Sequence, residues 1–160
     1  MVSEINKRLR NATFCCFENR EVVIHDNLLS RWKKEYFPFI KCISDNIPDG
    51  YSLVIVGHAN RTGFEEDVTI KKKGGDALLF PGNYSYSTDR AKSLLNEMQI
   101  LINSSSVVYY GAGSLSPRQD FIFNPSNGAN RRITFTLMKT ENSIKMKNFF
   151  DYKKKKIITK

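Results

Sequence analysis

A chain of 160 residues, 41% hydrophobic and 12% aromatic, is long enough to bury one core without disulfide or metal staples, and too apolar to belong with disordered chains. No apolar run reaches the length that spans a bilayer, and the N-terminus lacks a hydrophobic signal core. The net charge of +9 is concentrated from Lys139 onward, where eight lysines face only Glu141 and Asp151; such a cluster suits nucleic acid, anionic lipid or an acidic polymer, but a solvated surface is the plainer reading.

In chain order, residues 1–12 are polar and basic and read as a mobile or helical lead-in. Phe14 to Ile24, rich in aromatic and β-branched residues, reads as a first strand and its exit. Asp26 is a candidate N-cap for a helix whose apolar stripe is Leu29, Trp32, Tyr36, Phe39, Ile40 and Ile43, with Pro38 expected to kink or divide it. Pro48-Asp49-Gly50 is a turn, and Tyr51 to Val56 is a near-continuous apolar strand of the kind covered on both faces. Phe64 to Gly82 breaks the pattern with Glu65-Glu66-Asp67, Lys71-Lys72-Lys73-Gly74-Gly75 and Pro81-Gly82. A hairpin around Lys73-Gly74-Gly75 fits it, and its opposite charges suit a solvated loop at least as well as a binding device.

Ser87 is the expected cap of a second helix, with Asp89 in its first turn and Ala91, Leu94, Leu95, Met98 and Leu101 or Ile102 as its buried stripe; Asn103 to Ser105 would end it. Val107 to Tyr110 reads as a strand and Pro125-Ser126-Asn127-Gly128 as a turn. In the last strand Ile133, Phe135 and Leu137 alternate with Thr134, Thr136 and Met138. The predicted order is β-α-β-α-β-β, an α+β two-layer sandwich with a mixed sheet and helices on one face. The predicted organisation is a lead-in over 1–12, a domain over 13–140 with 64–82 as an inserted loop, and a basic tail over 141–160.

Three blocks carry the functional signal. Val54-Ile55-Val56-Gly57-His58-Ala59-Asn60-Arg61-Thr62-Gly63 is an apolar strand that stops in a polar turn. Asn83-Tyr84-Ser85-Tyr86-Ser87-Thr88-Asp89-Arg90-Ala91 is a polar segment feeding a helix. Tyr110-Gly111-Ala112-Gly113-Ser114-Leu115-Ser116-Pro117 is followed, after a loop, by Asn130-Arg131-Arg132. None identifies anything alone. In this order and local spacing they resemble the OmpA-like domain, a peptidoglycan-binding module with the pattern G-H-T-D-x-x-G, N-x-x-L-S-x-x-R-A, G-x-G-x-x-x-P and N-R-R. The resemblance covers about Phe14 to Met138 and is most specific after Tyr51.

The resemblance implies a non-catalytic domain that binds the diaminopimelate of a peptidoglycan stem peptide and tethers an envelope or motor-like assembly, with membrane-anchored proteins as further partners. Arg90 matches the arginine that holds the diaminopimelate carboxylate; without the resemblance, an exposed arginine paired with Asp89 or Glu97 is the simpler reading. Asn60 replaces the aspartate that meets the ligand's ammonium, and Ala59 removes the threonine hydroxyl beside it. An amide there accepts a hydrogen bond but supplies no charge. Asn83 matches the motif asparagine and Asn19 the asparagine of the first strand; both are equally readable as turn or cap residues. Arg131 and Arg132 match N-R-R, one expected to reach the ligand groove and the other to point away.

His25 and His58 lack partners at metal-ligand spacing, Gly111-Ala112-Gly113 lacks the third glycine of a dinucleotide site, and no nucleophile–base pair is visible. Neither catalysis nor cofactor nor metal is read. Cys15, Cys16 and Cys42 form an odd set, one of the adjacent pair expected beside Cys42 in the core, and they lean towards a reducing compartment. The resemblance points instead to the periplasm or cell envelope, and the cytoplasm stays open because this chain shows no export signal. Two other readings stand beside the first: a degenerate OmpA-like interaction module of a stator-like or phage-defence complex, and a basic nucleic-acid-binding domain. The latter has the charge but no reader motif.

Overall fold

A computed structural model describes residues 1–61, 63–71, 74–75, 77–99, 106–115, 127–153 and 155–159. Its elements are α1 (Val2–Leu9), β1 (Phe14–Cys15), α2 (Asp26–Asp45), β2 (Tyr51–Gly57), β3 (Asp67–Lys71), β4 (Ala77–Phe80), α3 (Asn83–Gln99), β5 (Val107–Gly111), β6 (Arg132–Lys139), α4 (Thr140–Tyr152) and β7 (Lys155–Thr159). Short 3-10 turns follow α1 and precede β6. The main sheet has the order β1-β6-β2-β5, with β2 parallel to β5 and antiparallel to β6, so the chain is α+β with a mixed sheet, as the sequence predicts.

Alternation along β2 and β6 divides the interior. Leu53, Ile55, Ile133, Phe135 and Leu137 face Leu29, Trp32 and Ile40 of α2, Ala91, Leu94, Leu95 and Met98 of α3, and Leu9 of α1. Trp32 stacks on Phe135 at 5.6 Å between ring centroids and donates its indole N–H to the Ala12 carbonyl at 2.8 Å, so its polar edge is satisfied where it is buried. Helix α2 runs undivided through Pro38, and Asp26 lies in its first turn behind His25 at the cap position. The lead-in is helical and anchored: Asn6 exchanges two hydrogen bonds with the Leu137 backbone, occupying the edge of β6 that the two-residue β1 leaves open. No cysteine reaches the core. Cys42 is exposed, and Cys15 and Cys16 are joined to each other at the surface end of β1.

The stretch expected as a tail differs most from its sequence reading. Helix α4 covers the opposite face of the sheet, where Phe150 closes a second cluster with Val54, Val56, Tyr84, Tyr110 and Ala112. Beyond it, β7 pairs in parallel with β3. The inserted segment forms the expected hairpin, with Val68 opposite Phe80 and Gly74 at φ +74° in its turn, so β4-β3-β7 make a second, three-stranded sheet. Lys72 and Lys73 lie outside the described residues, as do Leu101, Ile102 and Asn103–Ser105, where the sequence predicts the last of the helix stripe and its end, and Ser116-Pro117 and Pro125-Ser126.

Helix α3 is held against the sheet by two glycines paired across β2 and β5, Gly57 and Gly111. A β-carbon on Gly57 would overlap the Ser87 carbonyl, and one on Gly111 would overlap the Thr88 backbone nitrogen. Gly57→Ala is therefore expected to cost about 3 kcal/mol or more, because the obstacle is backbone and cannot swing aside. A urea unfolding curve checks this; a loss below about 1 kcal/mol would show that α3 rides higher on the sheet.

Candidate functional site

The first turn of α3 is built by the inserted segment. The Asn83 and Tyr84 N–H groups donate to the Phe64 and Glu65 carbonyls at 2.8 and 3.0 Å, satisfying donors a helix start leaves open. Glu65 accepts from the Asn83 amide at 2.8 Å and from the Ser114 hydroxyl and backbone N–H. Asp67 accepts from the Gly82 N–H and the Ser85 hydroxyl at 2.8 and 2.7 Å. The acidic run Glu65-Glu66-Asp67 thus supplies two carboxylates that lock the insertion to α3 and to the turn after β5. Ser87, expected as the helix cap, lies inside α3, donates to the Tyr84 carbonyl and accepts from the Gly113 N–H; Asp89 is exposed beyond the first turn.

Arg90 consequently sits about two turns into α3 rather than in its first turn. It is only 2% exposed. Its Nε donates to the Glu21 carbonyl at 2.8 Å, and its terminal nitrogens donate to the Glu18 and His58 carbonyls at 3.3 Å each. The guanidinium lies 5.3 Å from the Phe17 ring centre and 5.9 Å from that of Tyr86. No carboxylate pairs with it among the described residues. Burial, and secondly the Arg131 cation, bring its pKa down to about 10, so it stays charged at neutral pH as a desolvated cation held by carbonyl dipoles.

A cleft of about 220 Å³ opens onto this group, lined by Asn19, Arg20, Ala59, Asn60, Gly63, Phe64, Phe80, Pro81, Asn83, Tyr86 and Arg90. Four of the six residues singled out in the sequence, Asn19, Asn60, Asn83 and Arg90, therefore meet at one place. Asn60 and Asn83 are buried at its base and Asn19 is exposed at its rim. Arg131 and Arg132 do not line it, which corrects the expectation that one of them reaches the groove. Arg131 donates to the Phe17 carbonyl at 2.6 Å, behind the Phe17 ring, and contributes to the cleft only through its charge. Arg132 is buried in β6 opposite Cys15, beside a separate shallow pocket with Arg10 and Thr13.

Sequence reasoning missed two features of the cleft. Arg20 lies at its rim with φ of +57°, unusual for a residue with a β-carbon, and nothing in its neighbours signals that turn. The wall of Phe64, Phe80 and Pro81 comes from the insertion, whose charges suit a solvated loop at least as well as a binding device. Among the described residues no cluster of three or more His, Cys, Asp or Glu could hold a metal ion, and no helix is long and apolar enough to cross a membrane.

His58 lies behind the cleft, fully inside the protein. Its Nε2 meets the Thr134 hydroxyl at 2.9 Å and its backbone N–H donates to the Arg132 carbonyl at 2.8 Å, while its Nδ1 has no hydrogen-bond partner among the described residues. Burial, then the nearby Arg132 cation, hold its pKa well below 6.5. A histidine depressed in the folded state binds its proton only on unfolding, so its contribution is complete above pH 6.5 and lost as pH falls below it. The unfolding free energy is expected to drop by up to about 1.4 kcal/mol per pH unit in that range. Urea midpoints from pH 7.5 to 5 read the slope, and His58→Gln is expected to flatten it.

No protein-family model matches the chain, and no curated protein matches it in sequence. Solved structures do match its fold. The C-terminal domain of Helicobacter pylori MotB is similar over 88% of this chain and 94% of its own, at TM-score 0.51 and 15% identity. The peptidoglycan-associated lipoprotein of Burkholderia pseudomallei is similar over 76% of this chain and 86% of its own, at TM-score 0.53 and 14% identity. The OmpA-like domain of FopA1 from Francisella tularensis covers 76% of this chain and 67% of its own, at TM-score 0.51 and 18% identity.

Proposed function

We propose that this chain, having the OmpA-like fold, is a non-catalytic domain that binds peptidoglycan by seating a carboxylate of the stem peptide, that of diaminopimelate, against Arg90. One observation carries the reading: a desolvated guanidinium with no carboxylate partner among the described residues lies at the base of a cleft lined by Asn19, Asn60 and Asn83. A guanidinium has five N–H groups in a fixed fork, and three are used by carbonyls here. Those carbonyls hold the fork still, so the remaining N–H groups meet a carboxylate with little further ordering. Arg20 at the rim and Arg131 behind Phe17 add positive potential that draws the anion in. In this reading the domain works at the cell envelope and tethers its assembly to the wall.

Co-sedimentation with purified sacculi, competed by a soluble diaminopimelate-containing muropeptide, tests the proposal. Asn60→Asp is expected to tighten binding by about 1 kcal/mol, a charge-assisted contact to the ligand's ammonium replacing a neutral one. No competable binding by either protein would overturn the wall reading. A protein-interaction module is the second reading. It is favoured by the edge strand β4, whose Leu78, Leu79 and Phe80 are exposed although a free strand edge is ordinarily protected by charge.

A further inference from the structure

We infer that the cleft selects a carboxylate whose neighbouring group is uncharged and apolar, rather than the zwitterionic end of an amino acid; the inference rests on the cleft being the binding site proposed above. Among the described residues, the lining includes two arginines and no aspartate or glutamate. The acidic residues near the lining in the chain, Glu18, Glu21, Glu65, Glu66, Asp67 and Asp89, do not themselves line the cleft. Glu65 is turned towards Asn83 and Ser114, and Asp67 towards Gly82 and Ser85. An ammonium brought in beside the bound carboxylate would meet Arg20 and Arg90 as like charges, with only neutral amide oxygens to accept from it. The part of the lining contributed by the insertion offers exposed surface of Phe64, Phe80 and Pro81. Apolar surface of this kind gains by covering an apolar group and gives nothing to a hydrated cation. The arginines therefore read the anion and repel a charged neighbour, and the apolar part of the lining accepts a greasy one.

Four soluble probes separate this selectivity from the wall reading itself, each titrated calorimetrically into the full chain. They are a muropeptide with the free amine and carboxylate at the side-chain end of diaminopimelate, the same muropeptide with that amine acetylated, the same with that carboxylate amidated, and N-acetylphenylalanine. The acetylated form is expected to bind at least about threefold more tightly than the free amine, and the amidated form at least about tenfold more weakly. Asn60→Asp, confirmed folded by its melting curve, is expected to reverse the order of the first two. Tighter binding of the free amine by the unmodified protein overturns the inference and leaves the wall reading standing. Binding of N-acetylphenylalanine with none of the muropeptides supports the inference and overturns the wall reading. If no probe binds, both fall.

Discussion

Phe150→Ala is expected to destabilise the fold by about 3–5 kcal/mol, the range for truncating a fully packed phenylalanine. The ring is 5% exposed, stacks on Tyr110 at 5.3 Å and 8° between planes, and lies 6.0 Å from the Tyr84 ring. It is the residue of α4 that closes the second face of the sheet over Val54 and Val56. For a domain of this size the change corresponds to a melting temperature lower by roughly 10 °C. Phe149 is half exposed on the outer side of the same helix, so Phe149→Ala is expected to stay within about 0.5 kcal/mol. Equal small effects at both positions would mean that α4 is the dispensable tail its composition suggests.

The second large effect belongs to Arg90. Replacing it by alanine is expected to abolish ligand binding and to cost roughly 3 kcal/mol of stability, because the Glu18, Glu21 and His58 carbonyls lose their shared donor. Arg90→Lys keeps the charge, but one ammonium on a flexible stem cannot span three fixed carbonyls and a carboxylate together. Its binding is expected to fall at least about tenfold. Arg20→Ala separates affinity from folding: this exposed rim residue is expected to weaken binding while leaving stability within about 0.5 kcal/mol. Melting curves and titrations of the three variants read both quantities.

Local pattern carried much of this into the sequence. The stripe of Leu29, Trp32, Leu94, Leu95 and Met98 and the alternation Ile133, Phe135, Leu137 are periodicities that only one packing satisfies, and all eight residues lie in one buried cluster. Asn60, Asn83 and Arg90 were legible because each belongs to a short motif tied to a turn or helix. The choice between Arg131 and Arg132 was not, since it depends on where the 3-10 turn hands over to β6, and the turn puts Arg131 behind Phe17. Helix α4 was obscured by composition, its lysines outweighing the single Phe150 that anchors it. The insertion was obscured for a different reason. Charged residues ordinarily face water, and nothing in Glu65-Glu66-Asp67 announces that Asn83, Ser85 and Ser114 will arrive to satisfy two of those carboxylates.

The central claim, that a carboxylate of the wall docks on Arg90 inside this cleft, is tested most directly by nuclear magnetic resonance. The Arg90 Nε–H is buried and bonded to the Glu21 carbonyl, which protects it from exchange and makes it observable in nitrogen-labelled protein. Titration with a diaminopimelate-containing muropeptide is expected to shift that resonance saturably, together with the side-chain amides of Asn60 and Asn83. Shifts confined to the β4 edge or to the lysines after Phe150, with Arg90 unmoved at saturation, would contradict it.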